Sequence, residues 1–141
     1  MAEVLVPFSV PFVRGKGRVR FVRATGRTYT PDATAEAMER IRQAYAAASG
    51  GRAAPKGAPV RVSIYTARAL PKSRPKRVGE EPDVYKPDVD NIAKAVLDAL
   101  NGVAWEDDTQ VTQLVVQKGP RMRGVQDETG VVVSWEVDDG A

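Results

Sequence analysis

Apolar residues follow two periods along this chain. Over residues 59–67 they alternate, with Val60, Val62 and Ile64 on one face and Arg61, Ser63 and Tyr65 on the other, which predicts a half-buried strand. Residues 4–10 are also apolar and β-prone. Pro7 lacks the N–H that a central strand must donate, so this segment is expected at an edge or a bulge. Residues 111–118 and 131–137 read as two further strands around a loop at 119–130. Helical spacing appears twice. Thr30-Pro31-Asp32 has the order of a helix start: Thr as N-cap, Pro at the first helical position, an acid in the first turn. Met38, Ile41, Tyr45 and Ala48 then make one stripe for the core, and Gly50-Gly51 ends the helix. A second helix is predicted from about Asp88 to Asn101, with Val89, Ile92, Ala93, Val96 and Leu100 buried. Asp90, Lys94 and Asp98 share its opposite face at four-residue spacing, and Asn101-Gly102 closes it.

Two segments fall outside both periods. Residues 14–27 interleave basic residues with glycine and a few apolar positions, and read as a basic arm or hairpin. Residues 71–87 are rich in proline and charge, and read as a long exposed loop. The order is strand, arm, helix, strand, loop, helix, strand, strand, with no repeat and no domain linker. It predicts one α+β domain: a mixed or antiparallel sheet with two main helices packed on one face.

Composition removes many chemistries. The 141 residues include no cysteine and no histidine, which excludes disulfides, thiolate or imidazole zinc sites and histidine-based catalysis. An enzyme of this composition must work with carboxylates, Lys, Tyr, Ser or Thr, and such oxygen-rich sites suit magnesium or manganese. The N-terminus lacks the basic start of a signal peptide, and no stretch is long enough to span a membrane, so a soluble cytoplasmic protein is expected. The net charge of +3 conceals a strong asymmetry. Residues 1–80 carry 16 Lys/Arg and 5 Asp/Glu, whereas residues 81–141 carry 5 and 13, giving +11 and −8. The basic half reads as a phosphate-backbone footprint. Its candidate contacts are Arg14, Lys16, Arg18, Arg20, Arg23 and Arg27 in the arm, and Lys72, Arg74, Lys76 and Arg77 in the loop.

The acidic half concentrates its chemistry between Lys86 and Asp108. Asp88 and Asp90, two apart, do not share a helix face, and they converge only if the helix begins there. Pro87 favours that by disfavouring helix at Lys86. Ordinary helix capping by the two acids is the competing explanation. Asp107 and Asp108 follow the helix and its turn, and a return of the chain can bring them back toward the helix start. Lys94 lies one turn beyond Asp90, where its ammonium can meet a phosphate. Three carboxylates around a cation with a lysine nearby make a coherent constellation for magnesium-assisted phosphodiester hydrolysis. Asp107 is a helper candidate, Asp98 lies about 12 Å further along the helix and is taken as structural, and Trp105 is taken as core.

The run from Lys86-Pro87-Asp88-Val89-Asp90-Asn91 through Lys94 and Asp98 to Trp105-Glu106-Asp107-Asp108-Thr109-Gln110-Val111 resembles the RusA family of Holliday junction resolvases. Weaker similarity extends over Arg18-Val19-Arg20-Phe21, Gly26-Arg27-Thr28-Tyr29-Thr30-Pro31 and Pro71-Lys72-Ser73. The resemblance implies a homodimeric, magnesium-dependent endonuclease that cuts four-way DNA junctions by paired symmetric nicks. Its metal-binding carboxylates would be Asp88, Asp90 and Asp108, and its essential lysine Lys94. Phage or prophage origin is compatible with the resemblance. The basic loop at 71–85 and the N-terminal segment vary among relatives, which leaves substrate preference open. A nuclease for flaps or forks, or a non-catalytic nucleic-acid-binding module, are the alternatives.

Overall fold

The alternation over residues 60–69 sets the sheet. The protein was analysed as a computed structural model that describes residues 2–16, 20–22, 24–29 and 32–138, except the side chains of 20–22, 27–29 and 32. In chain order the elements are β1 (Ala2–Val10), β2 (Arg20–Val22), β3 (Arg27–Tyr29), α1 (Asp32–Ser49), β4 (Val60–Ala69), β5 (Glu80–Glu81), α2 (Val89–Leu100), β6 (Val111–Met122) and β7 (Glu128–Val137). Five strands form one mixed sheet in the order β1-β7-β4-β6-β5, and β2 and β3 form a separate antiparallel hairpin. β4 runs antiparallel to β7 and parallel to β6. The expected α+β architecture is therefore the one observed, and β1, with Pro7, stands at the edge of the sheet.

One face of the sheet makes the core. Val60, Val62 and Ile64 of β4, Val131, Val133 and Trp135 of β7, and Val4, Val6 and Val10 of β1 are buried in one cluster with Ile41 and Tyr45 of α1 and Ile92, Val96 and Leu100 of α2. The other face stays open, and Leu5, Tyr65 and Val115 are exposed on it. Three expectations need correction. Ala48 is exposed, and Ser49 takes the buried position instead. Val89 is 45% exposed because it sits in the first turn of α2, before the helix reaches the core. Strands β6 and β7 run further than expected, to Met122 and from Glu128, so the loop between them shrinks to residues 123–127. Thr30 and Pro31, expected to start α1, lie outside the described residues.

Residues 71–87, expected as an exposed loop, are mostly exposed, but they are tied to the sheet. The segment contains β5, which pairs with Arg121 and Met122 of β6. Its acids are bound to cations of the sheet. The Asp83 side chain is only 1% exposed. It accepts two hydrogen bonds from the Arg68 guanidinium, both 2.9 Å, and lies 3.7 Å from the Lys118 ammonium. Glu81 receives Arg74 and Arg121. The Arg121 guanidinium also stacks over the Tyr85 ring, 3.9 Å from its centroid. Sheet cations opposite the loop's acids make it a strap fixed to the sheet.

Burial of Asp83 opposes its ionisation. The Arg68 bonds, the Tyr85 amide and the positive charges of Arg68 and Lys118 outweigh this and hold the carboxyl below its usual range. A folded-state pKa lowered in this way contributes stability that is present above the unfolded value, about 4, and is lost as pH falls through the folded one. Asp83→Asn is expected to remove that acid dependence. Because it leaves two partly buried cations beside a buried position without their carboxylate, it is also expected to cost about 3 kcal/mol at neutral pH. Denaturant unfolding at pH 7 and pH 3 checks both outcomes.

Candidate active site

A parallel pair such as β4 and β6 needs a long crossover. Here the crossover is the strap, α2 and the turn that follows it, so every candidate acid is carried by this one connection. Asp88 is the N-cap of α2, with extended backbone (φ −71°, ψ 157°). Its carbonyl accepts the Ile92 amide at 3.0 Å, but its carboxylate makes no capping hydrogen bond. Asp90 lies in the first turn, and its carboxylate stands 3.9 Å from the Lys94 ammonium. Both side chains are mostly exposed, 69% and 63%, so this long ion pair contributes little to stability.

At the far end of the crossover, residues 106–110 form a tight turn whose 3₁₀ segment spans Asp108–Gln110. Asp107 caps it by accepting from the Thr109 amide at 3.0 Å. The Gln110 side chain completes a capping box by accepting from the Glu106 and Asp107 amides. Its amide nitrogen donates to the carbonyls of Pro55 and Ala58, at 2.9 and 3.1 Å. The Asp-x-x-Gln signature was visible in the sequence, and Gln110 was the residue that sequence reasoning passed over. Asp107, a helper candidate, commits Oδ1 to this cap. Asp108 is half-buried and accepts a 2.8 Å hydrogen bond from the indole of Trp105, which is itself a core residue as expected.

The structure brings Asp88, Asp90 and Lys94 to one end of α2 and holds Asp108 on the turn after it. It does not gather the acids further: among the described residues of the chain, no group of three carboxylates is placed to hold a metal ion. The oxygen donors suit magnesium chemically, but the described residues of the chain do not assemble three of them into one group.

A family model described as endodeoxyribonuclease RusA matches residues 11–134, which includes both helices and all of these acids. The chain belongs to the RusA endodeoxyribonuclease family. The family is described as an endodeoxyribonuclease, an enzyme that hydrolyses DNA, and the match takes in Asp88, Asp90, Lys94 and Asp108. The chain is also 40% identical over 68 residues to YqaN of Bacillus subtilis strain 168, an uncharacterised protein. That match takes in 43% of this chain, which spans about half the length of YqaN.

In this RusA chain the basic candidates divide by what already holds them. Lys16, a cation expected on DNA, is paired with Asp98, the acid taken as structural. Arg74 is committed to Glu81, with Nε donating at 2.8 Å. Arg14, Lys72, Lys76 and Arg77 are exposed and have no ion-pair partner among the described residues. Arg18 and Arg23 lie outside the described residues, as do the side chains of Arg20 and Arg27. No helix among the described residues is long and apolar enough to cross a membrane.

The root of the basic arm is seated on α2. The Lys16 amide donates to the Asn91 carbonyl at 3.1 Å. Gly15 lies so close that a Cβ there would meet Cβ of Pro87 at 2.9 Å and Cβ of Asn91 at 3.0 Å. Gly15→Ala is therefore expected to cost about 1–3 kcal/mol by overpacking. It should also lower DNA cleavage, because the displaced neighbours flank Asp88 and Asp90. Thermal unfolding and a single-turnover cleavage rate check the two effects.

Proposed function

We propose that this chain is a magnesium-dependent, structure-selective endodeoxyribonuclease that resolves Holliday junctions by paired symmetric nicks, in DNA recombination and repair. The observation that carries the reading is the unspent carboxylate of Asp88. An N-cap aspartate bonded to its own helix is worth roughly 1 kcal/mol, and this one forgoes the bond. Within a turn of it stand Asp90 and Lys94, both mostly exposed and joined only by a 3.9 Å ion pair. Three ionisable groups that do so little for the fold, in a family of DNA hydrolases, are read as machinery. Asp88, Asp90 and Asp108 are the metal-binding carboxylates in this reading. Lys94 is the cation for the scissile phosphate, and manganese is an accepted substitute for magnesium. The exposed Arg14, Lys72, Lys76 and Arg77 supply contacts to the DNA backbone. The protein acts in the cytoplasm.

The test is a labelled four-way junction compared with flap, fork and linear duplex, with and without magnesium. Paired nicks confined to the junction are expected, and preference for flaps or forks would replace junction resolution with another branched-DNA activity. Asp88→Asn and Asp90→Asn should each reduce cleavage to background and leave junction binding intact. Normal cleavage by Asp90→Asn would sink the site assignment, and absence of cleavage by the unmodified protein would leave a binding module.

A homodimer completes the reading for two reasons. Paired nicks need two sites, and a second chain can supply the third carboxylate that one chain does not assemble. If Asp108 of one protomer works with Asp88 and Asp90 of its partner, mixing Asp88→Asn chains with Asp108→Asn chains restores one intact site in each mixed dimer. Single nicks should then return, although each variant alone is inactive. A mixture as silent as its parents would place all three acids of a site on one chain.

A further inference from the structure

We propose that Trp105 is a positioning residue for the reaction, whose indole N–H fixes the orientation of the Asp108 carboxylate. The inference rests on the assignment of Asp108 to the active site. Trp105 is 1% exposed and packs in the core cluster with Leu100 and Ala104. Its carbonyl accepts the Gly102 amide at 2.8 Å, so backbone and ring are both fixed. A buried indole N–H needs an acceptor, and a backbone carbonyl would serve. This chain instead gives it a carboxylate three residues on, Oδ1 of Asp108 at 2.8 Å.

The turn does not need that bond to form. Asp107 already caps it, and Gln110 ties it by two accepted and two donated hydrogen bonds. What remains for the indole is orientation. With Oδ1 held by a donor that the core cannot release, the carboxylate loses its rotation about the Cβ–Cγ bond. Its other oxygen, which makes no hydrogen bond among the described residues, then keeps a fixed direction. Partners that orient a metal-binding carboxylate typically change affinity or rate by about 10- to 100-fold when removed.

The decisive variant replaces Trp105 with 3-benzothienylalanine, which keeps the two-ring shape and puts sulfur where the N–H was; Trp105→Phe serves as a genetic counterpart. The expected result is a fall of about 10- to 100-fold in the single-turnover cleavage rate. The junction Kd measured without metal and the thermal midpoint of the benzothienyl protein should stay at their unmodified values. A second readout needs no turnover. On adding magnesium to the DNA-free protein, the indole N–H resonance of Trp105 should shift and that of Trp135 should not. Full-rate cleavage by the benzothienyl protein, or an indole response no larger at Trp105 than at Trp135, overturns the proposal. Asp108→Asn separates the two levels of failure. If it cleaves normally, the active-site reading of Asp108 fails; if it is inactive while the benzothienyl protein is fully active, only the positioning role fails.

Discussion

The parallel pairing of β4 with β6 is the constraint on which the rest depends. Adjacent parallel strands cannot be joined by a tight turn, so the chain must leave the sheet and come back. It uses that excursion for the strap, α2 and the 106–110 turn, and places Asp88, Asp90, Lys94 and Asp108 along it. The excursion is held at several points. Sheet cations grip Asp83 and Glu81 before the helix, the buried face of α2 meets the core, and Gln110 binds two carbonyls after it. The candidate residues therefore ride on a segment whose own acids have been consumed in fixing it.

That distinction orders the electrostatics of the acidic half. Asp83, Glu81, Asp98 and Asp107 each hold a specific partner: Arg68, Arg74 and Arg121, Lys16, and the Thr109 amide respectively. Asp88 makes no cap bond, and Asp90 has only a distant lysine. A count of negative charge would treat these residues alike. Their partners separate acids that maintain shape from acids left available to a ligand, and Asp108 stands between, with Oδ1 held by the Trp105 indole and its other oxygen unbonded among the described residues. The same division applies to the cations, since Lys16 and Arg74 are bound internally while Arg14, Lys72, Lys76 and Arg77 face solvent.

Much of this was legible in the residues. Period-two alternation located β4, Pro7 located an edge, and Asp88 and Asn101 bounded α2 correctly as its caps. Local patterns carry such features because strand and helix periods are local. The strap was misjudged because its order comes from Arg68, Lys118 and Arg121 on strands distant in sequence, which no local composition reveals. Val89 was misplaced for a related reason. Its spacing fits the apolar stripe, but the first turn of α2 lies beyond the core. Chain reversal was expected to bring Asp107 and Asp108 back toward the start of α2; the 106–110 turn holds Asp108 against Trp105, and no three-carboxylate group forms among the described residues of the chain.

The two hydrogen bonds from Gln110 to Pro55 and Ala58 have a consequence for residues far from any chemistry. The connection between α1 and β4 looks like neutral ground, a short stretch with glycines at both ends. Ala54 in it is buried, and its amide donates to the Ala104 carbonyl at 2.8 Å. The connection is thus the wall against which the Asp108 turn is built. Its length is not free to drift: an added residue, an affinity tag or a fluorophore inserted there would move the ground beneath Asp108, even though no residue of the connection belongs to the candidate site.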